Sequence, residues 1–194
     1  MNVPITREEA WELVLKCNKE KANLNHYLET EAIMKALALK LGEDEKVWGM
    51  LGLLHDIDWE LTKADWSKHC INAVDILKEN GFNDEFIEII QSHGYGFEEI
   101  PALKDKSRSK KVEFALACSE TLTGLIYAYA LMRGGKISDM EVKGLKKKFK
   151  DKAFAANCKR DIIRECEKIG LSLDEFFQIA IDAVKSIKDE IGLS

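Results

Sequence analysis

Proline is almost missing from this chain: two residues in 194, at positions 4 and 101, so few obligate helix breakers interrupt it. Strand-like alternation over more than a few residues, internal repeats and low-complexity tracts are also lacking. There is no glycine-rich phosphate loop, no GxSxG turn and no Cys–His nucleophile pair, so those motif-based chemistries have no support here. The five cysteines (Cys17, Cys70, Cys118, Cys158 and Cys166) are odd in number and form no CxxC pair. They read as reduced thiols of a cytoplasmic protein, most of them small core residues. The opening stretch "MNVPITREEAWELV" has no basic segment leading into an apolar one, so no secretory signal is expected. A net charge of −5 argues against a general nucleic-acid binder but leaves room for a local basic patch.

What is present favours helices. The chain is 46% hydrophobic and 32% charged, as soluble globular proteins are, and no linker long enough to separate two units appears. The expectation is one all-α domain over residues 1–194. A Thr6–Glu9 capping box opens a first helix through about Asn18, and a second runs from about Asn23 to Leu41, stopped by Gly42. Glu43 and Asp44 open a third that ends near "HDID". Ser67 is expected to cap a fourth over "KHCINAVDILKEN", and Asn83 a fifth over "DEFIEIIQSH". After a polar loop, a long helix runs from about Ser109 to Met132. Ser138 with Glu141 reads as a second capping box for a lysine-rich helix, and further helices are expected over about 159–169 and 173–191, the last opened by Ser172 and Glu175.

Within the long helix, "VEFALACSETLTGLIYAYALM" has the length to cross a membrane, but Glu113, Ser119, Glu120, Thr121 and Thr123 interrupt it. A helix apolar nearly all round in a soluble protein is a central core helix, and no membrane partner is expected. Glu120 at its middle is then conspicuous. So is "LGLLHDIDWE", where an apolar helix ends in a histidine beside an aspartate, two groups that tolerate burial only when partnered. The four histidines fall in "LNHYLETEA" (His26), "LLHDID" (His55), "SKHCINAVDIL" (His69) and "IIQSHGYG" (His93). Imidazoles and carboxylates together suit Zn, Fe, Mn or Ni, with Mg as a further option. The spacings are too long for a local clamp such as HExxH, so each ligand should come from a different helix.

This order resembles the HD-domain superfamily of metal-dependent phosphohydrolases in its two-metal version: His, then His-Asp, then two further His, then an acidic residue. The flanking "NHYLETEAIMKALALKLG", "LTGLIYAYALM" and "ISDMEVKGLKKKFKDKAFAA" look like a bacterial subfamily of small standalone proteins. The resemblance covers about residues 20–190. It implies a helical bundle of the HD type with one or two divalent transition metals. His26, His55, Asp56 and Glu120 would hold the first, and Asp56 would bridge to a second held by His69 and His93. A carboxylate has two oxygens and can bridge two cations, which an imidazole cannot. The implied reaction is hydrolysis of a phosphate ester of a nucleotide or other small molecule by a metal-activated water.

Two departures stand out. The family has Asp in the core helix where this chain has Glu120, whose extra methylene moves the carboxylate; its other reading is a buried acid bonded to Thr123. Family members often read HDIGK, and this chain reads "HDIDW", leaving Lys63 and Lys68 as substrate contacts or simply solvated side chains. Asp58 is either a general base, an acceptor that orients a ligand, or a plain helix-end carboxylate. The lysines of "KGLKKKFKDK" form a solvated face or a rim that attracts a phosphorylated substrate or RNA. Trp48, Trp59 and Trp66 pack the core and a lid, or stack on a base. The expected partner is a small phosphorylated molecule. Rival readings are an HD-type di-iron oxygenase and a catalytically inactive ligand-binding or regulatory module.

Overall fold

The computed structural model describes residues 1–194, and every regular element in it is helical. α1 (Arg7–Cys17) starts on the Thr6–Glu9 capping box, with the Thr6 amide donating to Glu9 at 2.7 Å. α2 (Lys21–Leu41) stops at Gly42, whose φ of +71° is left-handed backbone that favours glycine. α3 (Glu45–Leu54) is capped by Asp44, which accepts from the Val47 amide at 3.0 Å. Then come α4 (Trp59–Thr62), a 3-10 turn at Trp66–Lys68, α5 (Asn72–Glu79) and α6 (Asp84–Ser92), the last capped by Asn83. α7 (Lys111–Met132) is followed by α8 (Val142–Lys150), α9 (Arg160–Ile163), a 3-10 turn at Arg164–Ile169 and α10 (Leu173–Ser186). The Ser172–Glu175 capping box opens α10 as expected.

The bundle is built around α2, α3 and α7. α7 has the length and hydropathy of a membrane span, but 67% of its most apolar stretch is buried inside the protein. Tyr27, Leu37, Leu51, Leu54, Phe86, Phe176 and Phe177 join it in one apolar core. Burial of each such side chain contributes about 1.5–3 kcal/mol against the entropy of ordering the chain. One glycine sets a critical distance. A Cβ on Gly52 would lie 2.7 Å from the Thr30 carbonyl oxygen and 2.9 Å from the Glu31 backbone, so α3 meets α2 at backbone contact. The end of α3 is thereby brought onto the face of α2 that carries His26.

Four local expectations need correction. Ser67 caps no helix: it sits in the 3-10 turn with its hydroxyl on Asp65, and α5 starts only at Asn72. His69 and Cys70 therefore occupy a bend, where Cys70 takes φ +63°. Ser138 and Glu141 form no capping box, because the Ile137 and Ser138 amides donate to the Ser194 carbonyl and the helix starts at Val142. The stretch 159–169 is one turn of α9 passing into a 3-10 turn. α10 ends at Ser186, and the following turns place the Ile191 carbonyl where Asn25 donates to it at 2.8 Å.

Candidate metal centre

Two of the four histidines cap their own helices. His55 follows the last residue of α3 and His93 the last of α6, where backbone carbonyls lack helical partners. His55 Nδ1–H donates to the Gly52 carbonyl at 2.8 Å and His93 Nδ1–H to the Ile90 carbonyl at 2.6 Å. His26, inside α2, donates from Nδ1 to the Thr123 hydroxyl at 2.7 Å. That hydroxyl spends its own proton on the Glu120 carbonyl, so it accepts from His26. His69 donates from Nδ1 to Asp58 Oδ1 at 3.0 Å. All four rings are thus oriented through Nδ1, the arrangement typical of metal-binding histidines, and all four Nε2 atoms face inward.

They converge on Asp56. His26 Nε2 lies 3.7 Å from its Oδ2, while His55, His69 and His93 Nε2 lie 3.5, 3.5 and 3.1 Å from its Oδ1. His26 and His55 Nε2 are 3.0 Å apart, and His69 and His93 Nε2 are 3.2 Å apart. With both Nδ1 atoms committed as donors, His26 and His55 present lone pairs to each other, a contact that a cation between them would relieve. Two tight groups of donor atoms result: His26, His55 and Asp56, and His69, Cys70 and His93. The donor set, nitrogen and carboxylate oxygen with one sulfur, suits a divalent transition metal.

The two groups differ electrostatically. Burial drives the His26 and His55 pKa down, His55 to about 3. Burial also opposes charge on His69, but its bond to Asp58 prevails and lifts it to about 10. His93 is raised as well, because Cys70 and Asp56 outweigh its burial. Asp56 stays well below the usual carboxylate range despite burial, held there by His55, His93 and His69.

The other expected site residues distribute unevenly. Asp58 is fully buried, with Oδ1 on His69 and Oδ2 accepting the Ala73 amide at 3.0 Å. It therefore aligns a histidine, with both oxygens engaged inside the protein and no place in the pocket lining. Glu120 lines the pocket above Asp56 but belongs to neither tight donor group, and its carboxylate accepts from the Thr121 hydroxyl. Burial in the pocket wall raises its pKa to about 7. Lys63 and Lys68 do not reach the site: Lys63 pairs with Glu20, and Lys68 pairs with Asp65 at 3.0 Å. Trp48 is buried in the core, whereas Trp59 and Trp66 line the pocket edge-to-face, 5.1 Å between centroids.

The pocket has a volume of about 260 Å³, close to the lower end of ligand pockets, ~300–1,000 Å³. The sequence reading missed its far wall, the irregular segment after α8. There Arg160 donates to the carbonyls of Lys148, Phe149, Asp151, Phe154, Ala155 and Cys158. So braced, the segment presents Asn157, Cys158 and Lys159 to the pocket. Lys159 is the single lysine or arginine of the lining, and its ammonium sits 3.5 Å from the centroid of the Phe97 ring. Gly124 explains its place in "LTG": a Cβ there would meet Cys158 Sγ at 2.9 Å. Arg108 does for His93 what Arg160 does for the wall, donating to the Ser92 and Tyr95 carbonyls while paired with Glu165.

A family model for the HD domain matches residues 23–119. That span holds all four histidines, Asp56 and Asp58 and stops one residue short of Glu120. The chain is also similar to the Ribonuclease Y of Sulfurovum sp. (strain NBC37-1), 26% identical over 168 residues. The similarity takes in 87% of this chain and 32% of that protein, so the chain spans about a third of the relative's length. No solved structure matches the chain.

Proposed function

This chain belongs to the HD-domain family, and from that premise we propose that it is a metal-dependent phosphohydrolase of small phosphate esters. The supporting observation is the inward convergence of four oriented Nε2 atoms on the Asp56 carboxylate at the floor of a small pocket. His26, His55, Asp56, His69 and His93 would hold one or two divalent metals, with Glu120 beside them. When bound, such metals supply an activated water and neutralise phosphoryl charge.

The remaining work falls to the chain's own side chains. Asp58 and the Gly52 and Ile90 carbonyls fix the direction of the imidazoles, and Thr123 fixes His26. Glu120, with a pKa near neutrality, is suited to take or return a proton at the pocket side of the centre. Lys159 meets substrate anion, while Trp59, Trp66 and Phe97 offer ring faces and edges to a flat apolar body. A single basic side chain in the lining favours a monophosphate over a polyphosphate ester. A phosphodiester in RNA is a second reading. It is favoured by the relative's name and by the exposed Lys143, Lys147 and Lys150 on α8, next to the pocket wall.

The test is elemental analysis of protein purified without chelators, followed by a panel of phosphomonoesters and short oligoribonucleotides. Hydrolysis that disappears in Asp56→Ala with unchanged circular dichroism is the expected outcome. Full activity in Asp56→Ala, or a blank panel with every added metal, sinks the proposal. Cleavage confined to RNA, and weakening steeply with salt, transfers it to the second reading.

A further inference from the structure

The bend before α5 is the least regular backbone near the centre. Cys70 sits there at φ +63°, a conformation rare for a residue with a side chain, and it is fully buried. Its Sγ lies 3.5 Å from His93 Nε2, in the compact donor group it shares with His69. The sulfur fits because position 94 is glycine: a Cβ there would stand 2.9 Å from Sγ. Both neighbouring imidazoles are more than nine-tenths buried and send Nε2 toward the same point, their Nδ1 atoms being engaged elsewhere.

The spacing of these donors is informative. Two ligands on one tetrahedral metal, at ~2.05 Å for nitrogen or carboxylate oxygen and ~2.3 Å for sulfur, lie ~3.3 Å apart for a nitrogen pair and ~3.6 Å apart for sulfur and nitrogen. Four of the six edges are 3.2 Å for His69–His93, 3.5 Å for Cys70–His93, and 3.1 and 3.5 Å from Asp56 Oδ1 to His93 and His69, and the Cys70 and His69 donors lie within 4.8 Å of each other. At these same bond lengths an octahedral centre would have edges of ~2.9 Å between nitrogens and ~3.1 Å between sulfur and nitrogen, shorter than those observed.

We infer that Cys70 is a fourth ligand, completing with His69, His93 and Asp56 a closed tetrahedral site for a thiophilic divalent metal such as zinc, cobalt or ferrous iron. On binding, the thiol gives its proton to solvent and sulfur donates to the metal; no redox step is involved. Such a site discriminates against Mg and Mn, which sulfur binds poorly. The inference is independent of turnover.

The test uses the full chain, stripped of metal and reloaded with Co(II). The expected result is a sulfur-to-cobalt charge-transfer band in the near ultraviolet, lost in Cys70→Ser and retained in Cys118→Ser and Cys158→Ser. Circular dichroism should be unchanged in all three. X-ray absorption at the zinc edge of the zinc-loaded wild-type protein needs no variant and should show one sulfur at about 2.3 Å. Failure of the wild type to bind cobalt, cobalt bound without the band, a band that survives Cys70→Ser, or zinc surrounded only by nitrogen and oxygen overturns the inference. An inactive protein with the band would refute the hydrolase reading and keep this one; an active protein without it would do the reverse.

Discussion

The two halves of the centre share Asp56 and little else. In the His26–His55 half, His26 is the most exposed of the four histidines at the pocket, its side chain 26% exposed, while its neighbour His55 is fully buried, and the pKa of both rings is lowered. In the other half, His69 and His93 line the same pocket but are only 7% and 6% exposed, Cys70 is fully buried, and the pKa of both rings is raised. Both halves therefore border the pocket, the first through the more exposed His26 and the second through the nearly buried His69 and His93. Two chemically similar histidine pairs are given different tasks by what lies behind and above them.

The largest expected effect separates the halves directly. His55→Ala should abolish hydrolysis and remove one metal equivalent, whereas His69→Ala should remove the other and leave measurable turnover. Equal loss of both equivalents in either variant would show a single cooperative site. Next, Asp58→Asn replaces one of two carboxylate oxygens with a donor, facing either the His69 Nδ1–H or the Ala73 amide. Competition with a chromogenic chelator should show the His69–His93 half weakened by ~10–100-fold and the His26–His55 half unchanged.

In chelator-stripped protein, stability should respond to pH with opposite slopes from the two halves. His55, at about 3 against an ordinary 6.5, leaves unbound a proton that the unfolded chain takes up, so stability falls as pH drops from 6.5 toward 3. His69, at about 10, contributes stability present in full below 6.5 and lost as pH rises through 10. Denaturant midpoints across pH should show His69→Ala flattening the alkaline limb alone. The smallest effect is that of Lys159→Gln, with KM for a phosphomonoester rising about tenfold, roughly 1.4 kcal/mol, at constant metal content. An unchanged KM would remove Lys159 from substrate recognition.

Helix starts that depend on local hydrogen bonds were legible in the sequence, as at Thr6, Asp44, Asn83 and Ser172. They failed where a distant group took the same atoms. The Ser194 carbonyl claims the amides near Ser138, and Asp58 holds His69 outside the helix that Ser67 was expected to open. The histidines and Asp56 were legible because buried polar side chains among leucines are rare enough to notice. Nothing near Lys159 advertised a pocket wall, since the shape of that segment comes from one guanidinium and not from any periodic pattern. Cys70 was passed over as one small core residue among five, and its backbone angle has no local sequence signal.

The bracing of that wall by Arg160 has an evolutionary corollary. A loop folded around an internal side chain keeps its path without help from the residues it displays. Asn157 and Lys159 stand on the outside of that path, with no place in the carbonyl cage beneath them. New ligand preferences can therefore arise by exchanging those two positions while the bundle and the centre stay intact. Arg160 is the position at which such a drift would stop.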